Sequence, residues 1–154
     1  MTEENKKSDS LISLFETKKS LTITLLRARE SLMMSFRPLL AKHNFTEQQW
    51  RVLRVLGEKG PCDAGQLATE ACILSPSLSR IINTLIENNF IIKKEDKSDK
   101  RKIILEISDE GKIKLESIKP EYLAILKSIQ KRYGEDKINK ILNLLTEIIE
   151  WRSR

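Results

Sequence analysis

Between Ser75 and Thr84 the chain sets hydroxyl, guanidinium and amide side chains along one side of a helix-period run. Leu78, Ile81, Ile82 and Leu85 take the i, i+3, i+4, i+7 stripe that turns inward. Ser77, Ser79, Arg80, Asn83 and Thr84 therefore face outward. Arginine matches the paired acceptors of guanine with two donors at once, and asparagine does the same for adenine. Ser75 reads as the N-cap and Pro76 as the first helical residue. Near Ser75 and Ser77 the free N–H groups and the helix dipole favour a phosphate. A capped, solvated helix would carry similar residues, so the adjoining segment matters. Lys93 to Lys102 holds six basic and three acidic residues, +3 of the chain's +6. β-branched runs, Phe90-Ile91-Ile92 and Ile103-Ile104-Leu105, flank its polar tip and make it a hairpin. There Asp99 is placed to hold the guanidinium of Arg101 in one geometry for DNA contact, and Lys97 is a second contact candidate. Basic hairpins also serve only to blunt a sheet edge. With a polar reading helix beside it, this one is expected to meet DNA.

A second group could bind a small anion. Arg29 lies on the helical row of Leu25, Leu32, Met33, Phe36 and Leu40. A cation on an apolar row is costly unless an acceptor meets it. One answer is a bound carboxylate, gripped by the guanidinium fork beside an aromatic wall from Phe36 or Trp50. The other is a salt bridge to an acidic residue of a partner chain, or a side chain that snorkels to solvent. Arg27 is the second candidate, with Glu30 one turn away; His43 and Arg51 are further candidates for such a site.

The elements that must position these groups follow from pattern. A long helix is expected from about Ser20 to Lys42, with Pro38 an irregularity late in it. Thr46-Glu47-Gln48-Gln49 is a capping box; the helix it opens turns Val52, Leu53 and Leu56 inward and stops at Gly57 or Gly60. Pro61 and Cys62 form a connector. Asp63 caps a short helix over Ala64 to Ala71 that buries Leu67 and Ala68, three or four residues ahead of the next helix, as in a helix-turn-helix. Asn88-Asn89 ends that helix, since asparagine tolerates the left-handed conformation. Ser108-Asp109-Glu110 caps another long helix containing Pro120. Gly134-Glu135 separates it from a last helix with Ile138, Ile141, Leu142, Leu145, Ile148 and Ile149, apolar on two adjacent rows. The outer helices carry more apolar surface than one chain needs to cover, and a second copy is the expected partner.

The remaining composition excludes other chemistry. The chain has 154 residues, about one domain's worth. Two cysteines and one histidine are too few for a structural zinc site, and no other metal or cofactor is expected. Cys62 and Cys72 read as buried, reduced thiols. The five glycines show neither GxGxxG nor GxxxxGK spacing, and His43 has no visible catalytic partner, so an enzyme is not expected. No apolar run is long enough to span a bilayer. Met1 to Lys7 lacks the basic-then-apolar layout of a signal peptide, which points to the cytoplasm.

The capped helix, Ser75-Pro76-Ser77-Leu78-Ser79-Arg80, and the Asp96-to-Arg101 hairpin together resemble the MarR (multiple antibiotic resistance regulator) family of winged-helix repressors, from about Leu25 to Leu115. Phe36-Arg37-Pro38-Leu39-Leu40, Thr46 to Arg54 and Ala71 to Leu78 resemble its homoprotocatechuate-degradation subgroup. The resemblance implies a homodimer on a palindromic operator, released by a small aromatic carboxylate. It places Asp99 and Arg101 on the family's wing pair, the arginine reaching into the minor groove. Asn89 and Ser108 depart from the family's usual glycine and threonine, and both substitutes can do the same local work. The expected fold is mainly α with a small β-wing. Residues 1–16 form an arm, 46–109 the winged helix-turn-helix module, and 17–45 with 110–154 a helical dimerisation region. Two alternatives stand beside this reading. One is a DNA-binding regulator with no small-molecule ligand, or switched by oxidation of Cys72. The other is a winged-helix module that binds protein, although such modules usually lose the basic wing.

Overall fold

A computed structural model describes residues 16–17, 20–96, 99 and 102–151. The elements in chain order are α1 (Leu21–Lys42), α2 (Glu47–Lys59), β1 (Cys62–Asp63), α3 (Ala64–Ala71), α4 (Ser75–Glu87), β2 (Ile91–Glu95), β3 (Ile103–Ile107), α5 (Asp109–Tyr133) and α6 (Glu135–Trp151). The architecture is mainly helical, with a three-stranded antiparallel sheet in the order β1-β3-β2. Two compact units are distinguished, Met1–Pro38 and Leu39–Arg154.

In the first unit, Ser20 sits ahead of α1 and its Oγ accepts from the Ile23 N–H at 3.5 Å. Phe36 is buried, Leu25 and Met33 are partly covered, and Leu21 and Leu32 are exposed. Pro38 lies inside α1, which continues to Lys42.

In the second unit, Thr46 and Gln49 form the expected reciprocal capping box, and α2 ends at Gly60. Gly60 has φ +83°, a conformation glycine takes without steric cost. Asp63 and Gln66 form a second capping box that opens α3. The expected connector at Cys62 is instead a strand. Cys62 pairs with Leu105 and Asp63 with Ile104, adding β1 to the wing hairpin. Two residues are too few to show a period, which is why the pattern did not reveal it.

The core of this unit is built where α2 packs against α3, α5 and β3, and α4 packs against α3 and β2. Val52, Leu53, Leu56, Leu67, Leu78, Leu85, Ile91, Leu105 and Ile118 are all but inaccessible to solvent. The inward residues of α3 are Leu67 and Ala71, not Ala68, which is partly exposed. The four apolar residues expected to face inward on α4 do so.

The root of the wing is fastened by side chains. Asn89 adopts φ +59°, the left-handed turn that ends α4. The Ser108 hydroxyl donates to the Asn89 carbonyl at 2.5 Å and accepts from the Gly111 N–H at 2.9 Å. A Cβ at position 111 would lie 2.1 Å from the Phe90 carbonyl oxygen, so glycine is required for this close approach. From that root β2 and β3 run paired from Ile91↔Ile107 to Glu95↔Ile103. Phe90 stays outside the strand and its ring packs 5.4 Å from that of Phe45.

Neither cysteine is buried as expected: Cys62 is partly covered and Cys72 is exposed. Cys72 caps α3 in a left-handed conformation, φ +50°, which turns its side chain out of the core. Among the described residues no helix is long and apolar enough to cross a membrane.

Candidate functional site

The polar side of α4 is an exposed surface. Ser75, Pro76, Ser77, Ser79, Arg80 and Asn83 are exposed and Thr84 is partly so. Two hydroxyls are engaged by their own helix: Ser79 Oγ donates to the Ser75 carbonyl at 3.3 Å and Thr84 Oγ1 to the Arg80 carbonyl at 3.1 Å. Arg80 and Asn83, three apart, stand on the same face with longer reach. Ser75 is not the N-cap. The helix starts at Ser75 itself, Leu74 occupies the cap, and no side chain caps it. Proline fixes φ but leaves the helix start free to shift by one residue.

In the wing, the Asp96 carboxylate accepts from the Asp99 N–H at 2.9 Å, and the Asp96 N–H donates to the Lys102 carbonyl at 3.0 Å. Lys97 and Arg101 lie outside the described residues. Lys93, Lys94 and Lys102 are exposed on the hairpin, and Lys94 pairs with Glu106 across the strands.

The expected anion-binding residues fall in both units, Arg27, Arg29 and Phe36 in the first and His43, Trp50 and Arg51 in the second. In the first unit Arg29 is exposed and pairs with Glu30 at 2.6 Å; Arg37 pairs with the same carboxylate. The unmet charge that singled out Arg29 is therefore met within its own helix, the short-range partner being Glu30. Arg27 is exposed as well, and Phe36 is buried.

In the second unit Arg51 donates to the Cys72 carbonyl at 3.5 Å, bracing the turn between α3 and α4. His43 meets Glu121 on α5 at 3.2 Å, and Lys42 meets it at 2.8 Å. Hydrogen bonds from Lys42 and then His43 hold the Glu121 carboxyl below the ordinary carboxylate range.

Trp50 anchors a different cluster. It is buried, and its ring lies 5.6 Å from that of Tyr122 and 6.1 Å from that of Phe45. Its indole Nε1–H meets no acceptor among the described residues. A buried donor left unpaired costs about 1–3 kcal/mol, so one that persists asks for an explanation. One turn along α2, the Arg54 guanidinium stands 5.3 Å above the Tyr122 ring and donates to the Tyr122 hydroxyl at 3.2 Å. Glu58 accepts from the same guanidinium at 2.8 Å. Burial opposes the Arg54 charge, but Glu58 and Tyr122 more than offset it and raise its pKa. The result is an aromatic wall carrying one cation and one unspent donor. Arg54 and Tyr122 were not among the expected residues. Arg54 was findable, four residues from Trp50 on one helix face, whereas Tyr122 is brought there only by the packing of α5.

The Cys62 thiol is pushed up in pKa, by burial first and then by Asp63 and Glu70, which disfavours the reactive thiolate.

A model of the MarR family matches residues 45–103. The HTH-type transcriptional regulator FarR of Neisseria gonorrhoeae is 37% identical over 84% of this chain and 88% of its own. The homoprotocatechuate degradative operon repressor of Escherichia coli is 35% identical over the same shares of each chain. Among solved structures, NadR in complex with 4-hydroxyphenylacetate is 37% identical, with a TM-score of 0.77 over 84% of this chain and 92% of that one. The chain belongs to the MarR family of DNA-binding transcriptional regulators, close to the regulators of homoprotocatechuate degradation.

Proposed function

We propose that the protein is a homodimeric repressor that binds a palindromic operator and is released by a small aromatic carboxylate. On the DNA side, Arg80 and Asn83 read base edges, Ser75, Pro76 and Ser77 approach a phosphate, and Ser79 and Thr84 border that contact. Arg101, oriented by Asp99, enters the minor groove with Lys97 beside it. The apolar residues exposed along α6, Ile141, Leu142, Leu144, Ile148 and Ile149, support dimerisation, since exposed patches of this kind mark association surfaces.

The observation that carries the ligand reading is the unpaired indole N–H of Trp50, whose ring packs on Tyr122, the ring that lies under Arg54. A carboxylate satisfies that donor and the Arg54 cation together, and an aromatic ring extends the stacking of Trp50 and Tyr122. The E. coli relative is named as repressor of a homoprotocatechuate degradative operon, and NadR was solved with 4-hydroxyphenylacetate. The same class of ligand fits this cluster. Release follows if the ligand favours a dimer whose two α4 helices no longer match the groove repeat. His43, which meets Glu121 on α5, and Arg51, which meets the turn before α4, stay candidates for the ligand site. Arg27, Arg29 and Phe36 of the first unit stay ligand candidates in their own right, to be tested by separate substitution.

Thermal melting with 4-hydroxyphenylacetate and with its amide tests this directly. The acid is expected to raise the Tm of the parent and the uncharged amide is not. Equal shifts, or none with any aromatic acid, contradict the reading. Cys72, exposed beside the helix-turn-helix, carries the alternative of a thiol switch. DNA release by peroxide that Cys72→Ser abolishes, with no response to acids, would favour that alternative.

A further inference from the structure

Leu74 occupies the cap position of α4 with φ −66° and ψ 139°, and its side chain makes no capping bond. Leucine is among the poorest residues for that place, because it offers no acceptor to the first-turn N–H groups. Only its backbone carbonyl takes part, accepting from the Leu78 N–H at 3.0 Å. Nor does it pack into the core. Ile73 beside it is 7% exposed, whereas Leu74 is 80% exposed.

A single exposed leucine is ordinary on a protein surface, so its position is the informative part. Within residues 46–109 the exposed large apolar side chains described are Leu74, Ile92 and Ile103, and Leu74 is the most exposed of them. Ile92 and Ile103 belong to the wing strands. Leu74 adjoins Ser75, Pro76 and Ser77 at the N-terminal end of the helix, the end whose residues meet base edges in helix-turn-helix proteins. An apolar group at that end is suited to an apolar counterpart on the DNA. The thymine C5-methyl is the apolar group that a base pair presents in the major groove.

We propose that Leu74 is a specificity-determining residue that packs on a thymine methyl in each half-site, a preference that Arg80 and Asn83 do not supply. This rests on α4 being the reading helix and deepens that assignment. It makes the surface continuous: apolar at the tip of the helix, hydroxylic along its first turn, guanidinium and amide beyond.

The test uses a duplex selected by the parent protein from a randomised pool, with each thymine replaced in turn by uracil. Uracil removes only the methyl. At one thymine per half-site the replacement should weaken the parent about three- to tenfold, the size expected for one buried carbon. Leu74→Ala should bind both duplexes alike, at the weakened level, and Leu74→Met should retain most of the discrimination. Because Leu74 is exposed, the variants should melt with the parent. A uracil scan with no sensitive position overturns the proposal. So does a sensitive position that Leu74→Ala still senses to the same degree. A parent that selects no duplex, or one whose selectivity survives Arg80→Ala unchanged, removes the assignment of α4 itself and is recognisable as a separate failure.

Discussion

Helices α4 and α6 are both amphipathic, yet the chain treats their apolar faces in opposite ways. On α4 the row Leu78, Ile81, Ile82 and Leu85 is buried against α3 and β2 within one chain. On α6 none of the described residues is buried, and Ile141, Leu142 and Ile149 are more than half exposed. The first helix is complete as it stands, so its outward face is free to carry polar side chains for another molecule. The second leaves its apolar face uncovered among the described residues, and this is the face that the proposed dimer would bury. One period of hydrophobicity therefore specifies two different tasks, distinguished only by whether the rest of the chain covers the stripe.

Breaking the α6 side of this contrast should have the largest effect. Leu142→Glu with Ile149→Glu is expected to give monomers by sedimentation. Losing the second half-site should weaken operator binding about 10²- to 10⁴-fold. A variant that stays dimeric assigns the interface elsewhere.

Breaking the α4 side is local. Arg80→Ala should cost about 1–3 kcal/mol on the selected duplex and relax preference at one base position per half-site. Fluorescence anisotropy on matched and mismatched duplexes checks both. In the wing, Arg101→Ala should weaken selected and unrelated duplexes alike, and lower the salt slope by about one phosphate if it contacts backbone. An unchanged salt series leaves the hairpin a structural element.

The smallest effect sharpens the support of α5. Glu121 has a depressed carboxyl pKa when folded, so its contribution is present above the ordinary glutamate value and is lost as pH falls through the folded value. Glu121→Gln should melt slightly below the parent at neutral pH and converge with it in acid. A constant gap across the titration contradicts the ion-pair account.

Most of the fold was legible because its elements carry their own signals. Thr46 announces its helix through a capping box and Asp63 through an N-cap, Asn89 marks a left-handed turn, and the α4 stripe has a clean period. The misreadings share a cause. β1 is too short for a period, Ser75 lies one residue inside the helix it was expected to cap, and Ala68 and Ala71 are both small residues on a short helix. Cys72 is exposed because of a backbone conformation that its residue type does not announce.

The site divides in the same way. The polar face of α4 follows from the stripe opposite it. The aromatic cluster around Trp50 depends on a contact between α2 and α5, separated by 68 positions at Arg54 and Tyr122. Local pattern offered Trp50 and Arg29 as ligand candidates, and within the first unit Glu30 meets the Arg29 charge. Tertiary packing, and not spacing, put Tyr122 beside Trp50.

The central claim is that one chain reads DNA with α4 and senses an aromatic acid at Trp50. Anisotropy of the selected duplex, titrated with 4-hydroxyphenylacetate, tests both halves together in the parent and in Trp50→Phe, which keeps the ring but removes the indole donor. The account predicts release of the parent from DNA, with Trp50→Phe still bound at ligand concentrations at least about tenfold higher, the value of one charge-assisted hydrogen bond. Identical release curves for the two proteins, or a parent that no aromatic acid dislodges, would contradict it.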